Sequence, residues 1–320
     1  MSSVAVIGAG AWGTALAIQA ARAGNAVTLW ARDPSRAEVI LATRENPRLA
    51  GVRLPEPILV TSEMPGTADA TLLAVPTQHL GGVLGRLPIG LEPLVLCAKG
   101  VEQTTLRLPL EIASDVRPGT PSAILTGPNF AHEIAAGLPA AAVVAASDTG
   151  LREAIAALVG TPSFRLYGND DPIGAQVGGA AKNVVAIAAG AVIGAGLGEN
   201  ARAALITRGL VELSRLAMAL GGKPETVMGL SGLGDLLLTC TGPTSRNYSL
   251  GLALGRGEQL ADVLAARSAV TEGVATAPAL VARATGVDLP VCTAVASLLA
   301  GRTTLAEAIA ALLARPRRNE

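Results

Sequence analysis

Short, almost uninterrupted apolar runs alternate with helical periods through the first half of the chain, and helical periods alone fill the second. Val4-Ala5-Val6-Ile7 opens the pattern, Gly8-Ala9-Gly10-Ala11-Trp12-Gly13 follows, and an amphipathic stretch from Thr14 to Ala23 ends at Gly24. This order predicts strand, glycine turn, helix and a C-terminal glycine cap. Val27-Thr28-Leu29-Trp30 supplies the next strand, and the unit fits the roughly 30 residues of a strand-helix-strand crossover.

Further strands are predicted at Ile58 to Thr61, Ala70 to Val75, Leu94 to Cys97, Ala123 to Thr126, Ala142 to Ala146 and Phe164 to Tyr167. Strands this continuously apolar belong to a sheet covered on both faces. Residues 1–172 therefore read as one α/β domain with a doubly wound, Rossmann-type sheet. The polar link Tyr167-Gly168-Asn169-Asp170-Asp171-Pro172 ends the strand pattern. Residues 173–320 read as an all-α domain with helices over 173–197, 201–220, 225–230, 246–255, 258–265, 271–285, 291–300 and 304–314.

Composition narrows the class. Half of the 320 residues are hydrophobic and 16% are charged, enough for two substantial cores and too apolar for disorder. The formal net charge is zero, which leaves no footprint for nucleic acid apart from a basic tail at Arg315, Arg317 and Arg318 that reads as a solvated terminus. Cys97, Cys240 and Cys292 are far apart in apolar runs and read as core thiols; with only His79 and His132 as imidazoles, no metal site is expected. The start lacks a basic leader, and the uncharged segment Asn183 to Gly198 falls short of the roughly 20 residues that span a bilayer. A cytoplasmic protein without a membrane span is expected, and alanine-rich helical faces in the second half suggest a homodimer.

The Gly8-x-Gly10-x-x-Gly13 spacing carries the first chemical signal. The first glycine permits the tight turn, the second admits a pyrophosphate to the backbone, and the third packs helix on strand. The anion then sits on a helix N-terminus. At the end of the second strand, where an acid usually reads the adenosine ribose of NAD, the chain has Trp30-Ala31-Arg32-Asp33. Either Arg32 receives a 2′-phosphate, favouring NADP, or it is a surface arginine beside an Asp33 that caps the next helix.

The second signal is Lys182, a single ammonium in the apolar run Ile173 to Gly198. Burying it costs several kcal/mol unless it is paired. Hydride transfer to a carbonyl needs a proton donor, and with histidine scarce the candidates are the few lysines. Lys99 follows a predicted strand at the carboxyl edge of the sheet, where open α/β folds bind ligands, whereas Lys223 beside Gly221-Gly222 reads as a surface turn residue.

Together, Gly8 to Ala17, Ala98-Lys99-Gly100, Gly127-Pro128-Asn129-Phe130-Ala131, Gly178 to Val184, Gly232-Leu233-Gly234-Asp235-Leu236 and Thr244-Ser245-Arg246-Asn247 resemble bacterial NAD(P)-dependent glycerol-3-phosphate dehydrogenases. Their order and spacing match over nearly the whole chain. The resemblance implies NAD or NADP as cofactor and reversible reduction of dihydroxyacetone phosphate to sn-glycerol 3-phosphate, which feeds glycerophospholipid synthesis. Lys182 matches the proton donor and acceptor, and desolvation would bring an ordinary lysine pKa of ~10.4 closer to the working range.

The resemblance also implies substrate contacts for Lys99, Gly127, Asn129, Lys182, Asp235, Ser245, Arg246 and Asn247, with Arg246 and Asn247 at the phosphate. It implies cofactor contacts for Lys99, Ala131, Arg246, Val270 and Glu272, which join Gly8, Gly10, Ala11, Trp12 and Gly13 of the glycine turn and, on its first reading, Arg32 as the expected cofactor set. Read without it, Asp235 and the Thr244-Ser245 pair would be helix caps. Two positions depart from the family pattern: Asn129 stands where Thr or Ser is usual, and Val274 where a tyrosine often follows Val270-Thr271-Glu272.

Overall fold

A computed structural model describes residues 1–267 and 270–316; Arg317 and Arg318 of the expected basic tail lie outside them. The chain divides into two compact units, one of residues 1–99 and 107–176, the other of residues 100–106 and 177–320. The second unit thus takes Gly100 to Leu106, a segment that a division at residue 172 assigns to the first. Its anchor is the Leu106 carbonyl, which accepts a hydrogen bond from Arg283 Nη1 at 2.7 Å.

The first unit is an eight-stranded sheet: β1 (Ser3–Ile7), β2 (Ala26–Trp30), β3 (Ile58–Thr61), β4 (Ala70–Leu73), β5 (Leu94–Leu96), β6 (Ser122–Thr126), β7 (Ala140–Ala145) and β8 (Phe164–Asn169). The order is β3-β2-β1-β4-β5-β6-β7-β8. Helices α1 (Ala11–Arg22), α2 (Pro34–Thr43), α3 (Thr77–Leu84), α4 (Pro109–Val116), α5 (Ala131–Ala136) and α6 (Thr149–Val159) connect and cover it. The doubly wound expectation holds, and the apolar strands are buried as it requires: every residue of β4 and β5 is inaccessible.

Strand order reverses between β1 and β4, so the crevice at their carboxyl ends lies beside the glycine turn. One pairing is not doubly wound: β6 and β7 run antiparallel. The short α5 between them packs on α1, where Arg22 at the end of α1 donates to the carbonyls of Ile134 and Ala135. Both carbonyls lie at the α5 C-terminus, where Ile134 also accepts from Gly137 N at 3.0 Å, so one guanidinium both caps α5 and fastens it to α1.

The second unit is helical, as expected. From Val177 it contains the rest of α7 (Pro172–Gly194), then α8 (Gly198–Ala219), α9 (Pro224–Val227), a π-helical turn (Leu230–Gly234), α10 (Asp235–Cys240), α11 (Arg246–Gly255), α12 (Leu260–Ala265), α13 (Glu272–Arg283), α14 (Pro290–Leu299) and α15 (Leu305–Leu313). By length and composition α7 could cross a membrane, because it continues the uncharged segment back through Lys182; 83% of its apolar window is buried inside the protein, which makes it a core helix.

What buries α7 is a glycine crossing. A Cβ on Gly190 would lie 2.0 Å from the Tyr248 carbonyl oxygen, and one on Gly251 would lie 1.9 Å from that of Ile187. Gly194 and Gly255 stand in the same relation one turn further along each helix. α7 and α11 therefore meet backbone to backbone.

Candidate active site

In the first unit the three glycines of the turn have different jobs. Gly8 has φ +115° and faces the loop after β4, where a Cβ would lie 2.7 Å from the Ala74 carbonyl oxygen. A Cβ on Gly13 would lie 1.9 Å from the Gly8 carbonyl oxygen, so Gly13 lets α1 start against the strand. Gly10 has nothing within 4 Å of its Cβ position. The protein's own packing does not require that glycine, and the open space above it leaves the backbone accessible to a ligand.

Helix α1 opens at Gly10 with no side-chain cap and no acid in its first turn, which leaves its first N–H groups without a capping side chain. The indole Nε1 of Trp12 is also buried without a partner. Residues Gly8 to Gly13 fit a dinucleotide pyrophosphate on this local geometry. Asn46, fully buried, braces the turn: its Nδ2 donates to the Ala9 carbonyl at 3.2 Å and to Thr14 Oγ1 at 2.6 Å.

Lys99 follows β5 at the same sheet edge, and its Nζ donates to the Gly127 carbonyl at 3.0 Å. Gly127, with φ +138°, ends β6 where a Cβ would lie 3.0 Å from Ala142 Cα across the antiparallel pair. The buried Oδ1 of Asn129 has no partner, nor has Thr126 Oγ1 at the end of β6. Lys99, Gly127 and Asn129 are thus brought together, and Ala131 begins α5 just beyond them. Arg32 is exposed past the end of β2, while Asp33 does cap α2, accepting from Ser35 N at 3.1 Å.

In the second unit Lys182 is buried and paired. Its Nζ lies 2.5 Å from Asp235 Oδ1 and 3.1 Å from Thr239 Oγ1, with the lysine side chain 9% and the aspartate 1% exposed. Gly178 makes this possible: a Cβ there would lie 2.5 Å from the Ser231 carbonyl oxygen, so α7 closes onto the π-helical turn. One helical turn beyond each of those residues stand Lys182 and Asp235. Asp235 is not the cap of α10; Gly234 holds that position without a side-chain bond. Thr239 Oγ1 donates to the Asp235 carbonyl at 2.6 Å, which fixes its hydroxyl beside the ammonium.

The turn expected to hold the phosphate follows. Ser245 is the N-cap of α11, its Oγ accepting from Tyr248 N at 3.2 Å. Arg246 is exposed and donates to the Val270 carbonyl at 2.8 Å, which joins two segments matched to the cofactor. Asn247 is buried, with Nδ2 on Asn183 Oδ1 at 2.9 Å and Oδ1 accepting from Gly273 N at 3.0 Å. Its side chain therefore supports the turn more than it reaches outward. Glu272 begins α13 directly after Thr271.

The remaining candidates are inert. Burial pushes the Cys97 and Cys240 thiols up to about 12 and raises Cys292 further, so none is a thiolate at neutral pH. His79, His132 and Lys223 are exposed. Sequence reading gave no role to Asn46, Asn183 or Thr239. Thr239 had a signal, being one helical turn after Asp235; the asparagines act through contacts distant in sequence.

Residues 3–152 match the N-terminus family of NAD-dependent glycerol-3-phosphate dehydrogenase, and residues 171–310 match its C-terminus family. The chain belongs to the NAD-dependent glycerol-3-phosphate dehydrogenase family. It is 59% identical to glycerol-3-phosphate dehydrogenase [NAD(P)+] of Acidiphilium cryptum over 99% of this chain and 98% of that protein. The Gluconobacter oxydans protein of the same name is 52% identical over 98% and 97%. Among solved structures, the Coxiella burnetii glycerol-3-phosphate dehydrogenase superposes with a TM-score of 0.93 at 35% identity, covering 98% of this chain and 99% of that one. Both halves of this glycerol-3-phosphate dehydrogenase family member thus have relatives.

Proposed function

We propose that this chain catalyses the reversible reduction of dihydroxyacetone phosphate to sn-glycerol 3-phosphate with NAD(P)H, with Lys182 as proton donor. The observation that carries the reading is the Lys182 ammonium held between Asp235 and Thr239 in an otherwise apolar helix. Family membership and the fit of Gly8 to Gly13 to a dinucleotide support it.

A bound reduced nicotinamide supplies the hydride to the carbonyl carbon. As negative charge grows on the carbonyl oxygen, Lys182 Nζ gives it a proton and becomes a neutral amine, which regains a proton from solvent. Asp235 offsets the burial of the ammonium, and Asp235 and Thr239 together fix the position of Nζ. In the reverse direction the amine takes the hydroxyl proton. Lys99, Gly127 and Asn129 are read as further substrate contacts, and Ala11, Trp12, Arg32, Ala131, Val270 and Glu272 as cofactor contacts. Arg246 and the N-terminus of α11 are read as the phosphate anchor, through a guanidinium and free backbone N–H groups.

We read the product as a glycerophospholipid precursor and the protein as a cytoplasmic homodimer, whose subunit number size-exclusion chromatography measures. The activity is tested by NAD(P)H oxidation with dihydroxyacetone phosphate and, separately, with unphosphorylated dihydroxyacetone. Turnover specific to the phosphorylated ketone and lost in Lys182→Ala is expected. An inactive wild type sinks the assignment; a fully active variant removes Lys182 from the chemistry.

A further inference from the structure

In the second unit the start of α11 and the segment leading into α13 exchange arginines. Arg246 sends its Nη1 to the Val270 carbonyl at 2.8 Å. Arg267, half-buried just after α12, returns the contact: its Nη1 donates to the main-chain carbonyl of Arg246 at 2.7 Å. Each guanidinium thus grips the backbone of the other's segment.

Both arms of the Arg267 fork are used. Nη2 donates to Ser249 Oγ at 3.0 Å, and Ser249 Oγ donates in turn to the same Arg246 carbonyl at 3.1 Å. Nη1 also reaches Thr271 Oγ1 at 3.3 Å, within its own segment. Two nitrogens, a hydroxyl and one carbonyl close a ring that suits a planar fork and that a point-like ammonium does not reproduce. Further along, Gly273 N donates to Asn247 Oδ1 at 3.0 Å. The stretch from Arg267 to Gly273 is therefore staked to the first turn of α11 at both ends and at Val270.

One of these stakes carries a cost that simple tethering does not require. Burial lowers the Arg267 guanidinium below the ordinary arginine range, and the charge of Arg246 lowers it further, against the opposing Glu258. Like charges held side by side cost free energy that an anion on the pair would offset. The staked stretch contains Val270 and Glu272, read above as cofactor contacts, and it is tied to Arg246, read as the phosphate anchor.

We propose that Arg267 is a positioning residue that fixes Arg246 and the Val270 to Glu272 segment relative to each other, so that substrate phosphate and dinucleotide are held by one braced unit. That role rests on the reading of Arg246 as phosphate anchor and of Val270 and Glu272 as cofactor contacts, and Arg267 acts through them. A brace on groups remote from the reacting carbonyl governs binding more than the chemical step.

Steady-state kinetics of the full chain with dihydroxyacetone phosphate and NAD(P)H test it. Arg267→Ala raises both KM values about tenfold and leaves kcat within about threefold. Added guanidinium ion restores both KM values in this variant and leaves wild type unchanged. Arg267→Lys keeps the charge but not the fork, so both KM values stay at least about threefold above wild type. Ser249→Ala opens the ring while leaving both arginines, and it carries the test with a rise of about threefold in both KM values if Arg267→Ala fails to fold. Unchanged KM values, a rise in only one of them, or a loss of kcat that guanidinium does not rescue overturns the role of Arg267. A wild type that is inactive, or that turns over unphosphorylated dihydroxyacetone equally well, overturns instead the phosphate-anchor reading beneath it.

Discussion

The Lys182–Asp235 pair can be taken apart one charge at a time. Lys182→Met leaves a carboxylate that is 1% exposed without its cation, and Asp235→Asn leaves an ammonium that is 9% exposed with Thr239 and a neutral amide. Removing one partner of a buried pair costs about 3–5 kcal/mol, because the remaining charge stays desolvated. Replacing both, as in Lys182→Met with Asp235→Leu, removes the charge and keeps the volume, so the double variant should lose less than about 1–2 kcal/mol. With Asp235→Leu as the matching single variant, the cycle then yields a coupling of at least about 4 kcal/mol.

Urea unfolding measures this, followed by far-UV ellipticity, since both tryptophans, Trp12 and Trp30, lie in the first unit and the pair lies in the second. Turnover is measured alongside. Loss of a positioned proton donor lowers kcat by about 10²–10⁴-fold, and the stabilised double variant must stay inactive. Recovery of stability without recovery of rate separates the chemistry from the burial. Single variants that each cost less than about 1 kcal/mol, or a Lys182→Met protein with normal kcat, would refute the reasoning.

Three further outcomes follow from particular contacts. Gly10→Ala meets open space, so it should change stability by less than about 1 kcal/mol yet raise the KM for cofactor more than tenfold, whereas Gly13→Ala, at 1.9 Å from the Gly8 carbonyl oxygen, should destabilise the fold; thermal melts and steady-state kinetics separate the two. Asn46→Ala strips the brace from the Ala9 carbonyl and Thr14, costing about 2–3 kcal/mol and weakening NADH and NADPH alike in titrations. Burial holds the Glu212 carboxyl above the ordinary range although Val291 N and Cys292 N both donate to it. Between the ordinary and the raised value the native state keeps a proton that the unfolded chain releases, so stability falls as pH rises through that window; Glu212→Gln should flatten that part of a stability–pH curve, and an unchanged slope contradicts it.

Much of the fold was legible because buried parallel strands need uninterrupted apolar runs, and those of β1, β2, β3 and β4 stand out between polar turns. The antiparallel turn from β6 to β7 was not, since strand direction is decided by how α5 docks on α1 and not by the strands' residues. Nor was the π-helical turn at Leu230–Gly234, where a helix over 225–230 was expected; Gly229, Gly232 and Gly234 carry no side chain to mark the irregularity, and Gly232 is needed for close approach to Val227. Among site residues, Lys182 was conspicuous because a lone charge in an apolar helix demands an explanation. Thr239, Asn183 and Asn46 were silent, because a polar residue in a sequence does not announce which distant backbone it will hold.

The α7–α11 crossing has a bearing on substrate choice. Side-chain packing can yield by changing rotamers, but two backbones in contact have no such latitude. With Gly190 and Gly194 seated on α11, the offset between Lys182 on one helix and the Ser245-Arg246-Asn247 turn on the other is set by main-chain geometry alone. The crossing acts as a fixed calliper between the proposed proton donor and the proposed anion anchor. A chain evolved to accept a longer phosphorylated ketone would therefore have to rebuild the loop ahead of Ser245, since neither helix can slide.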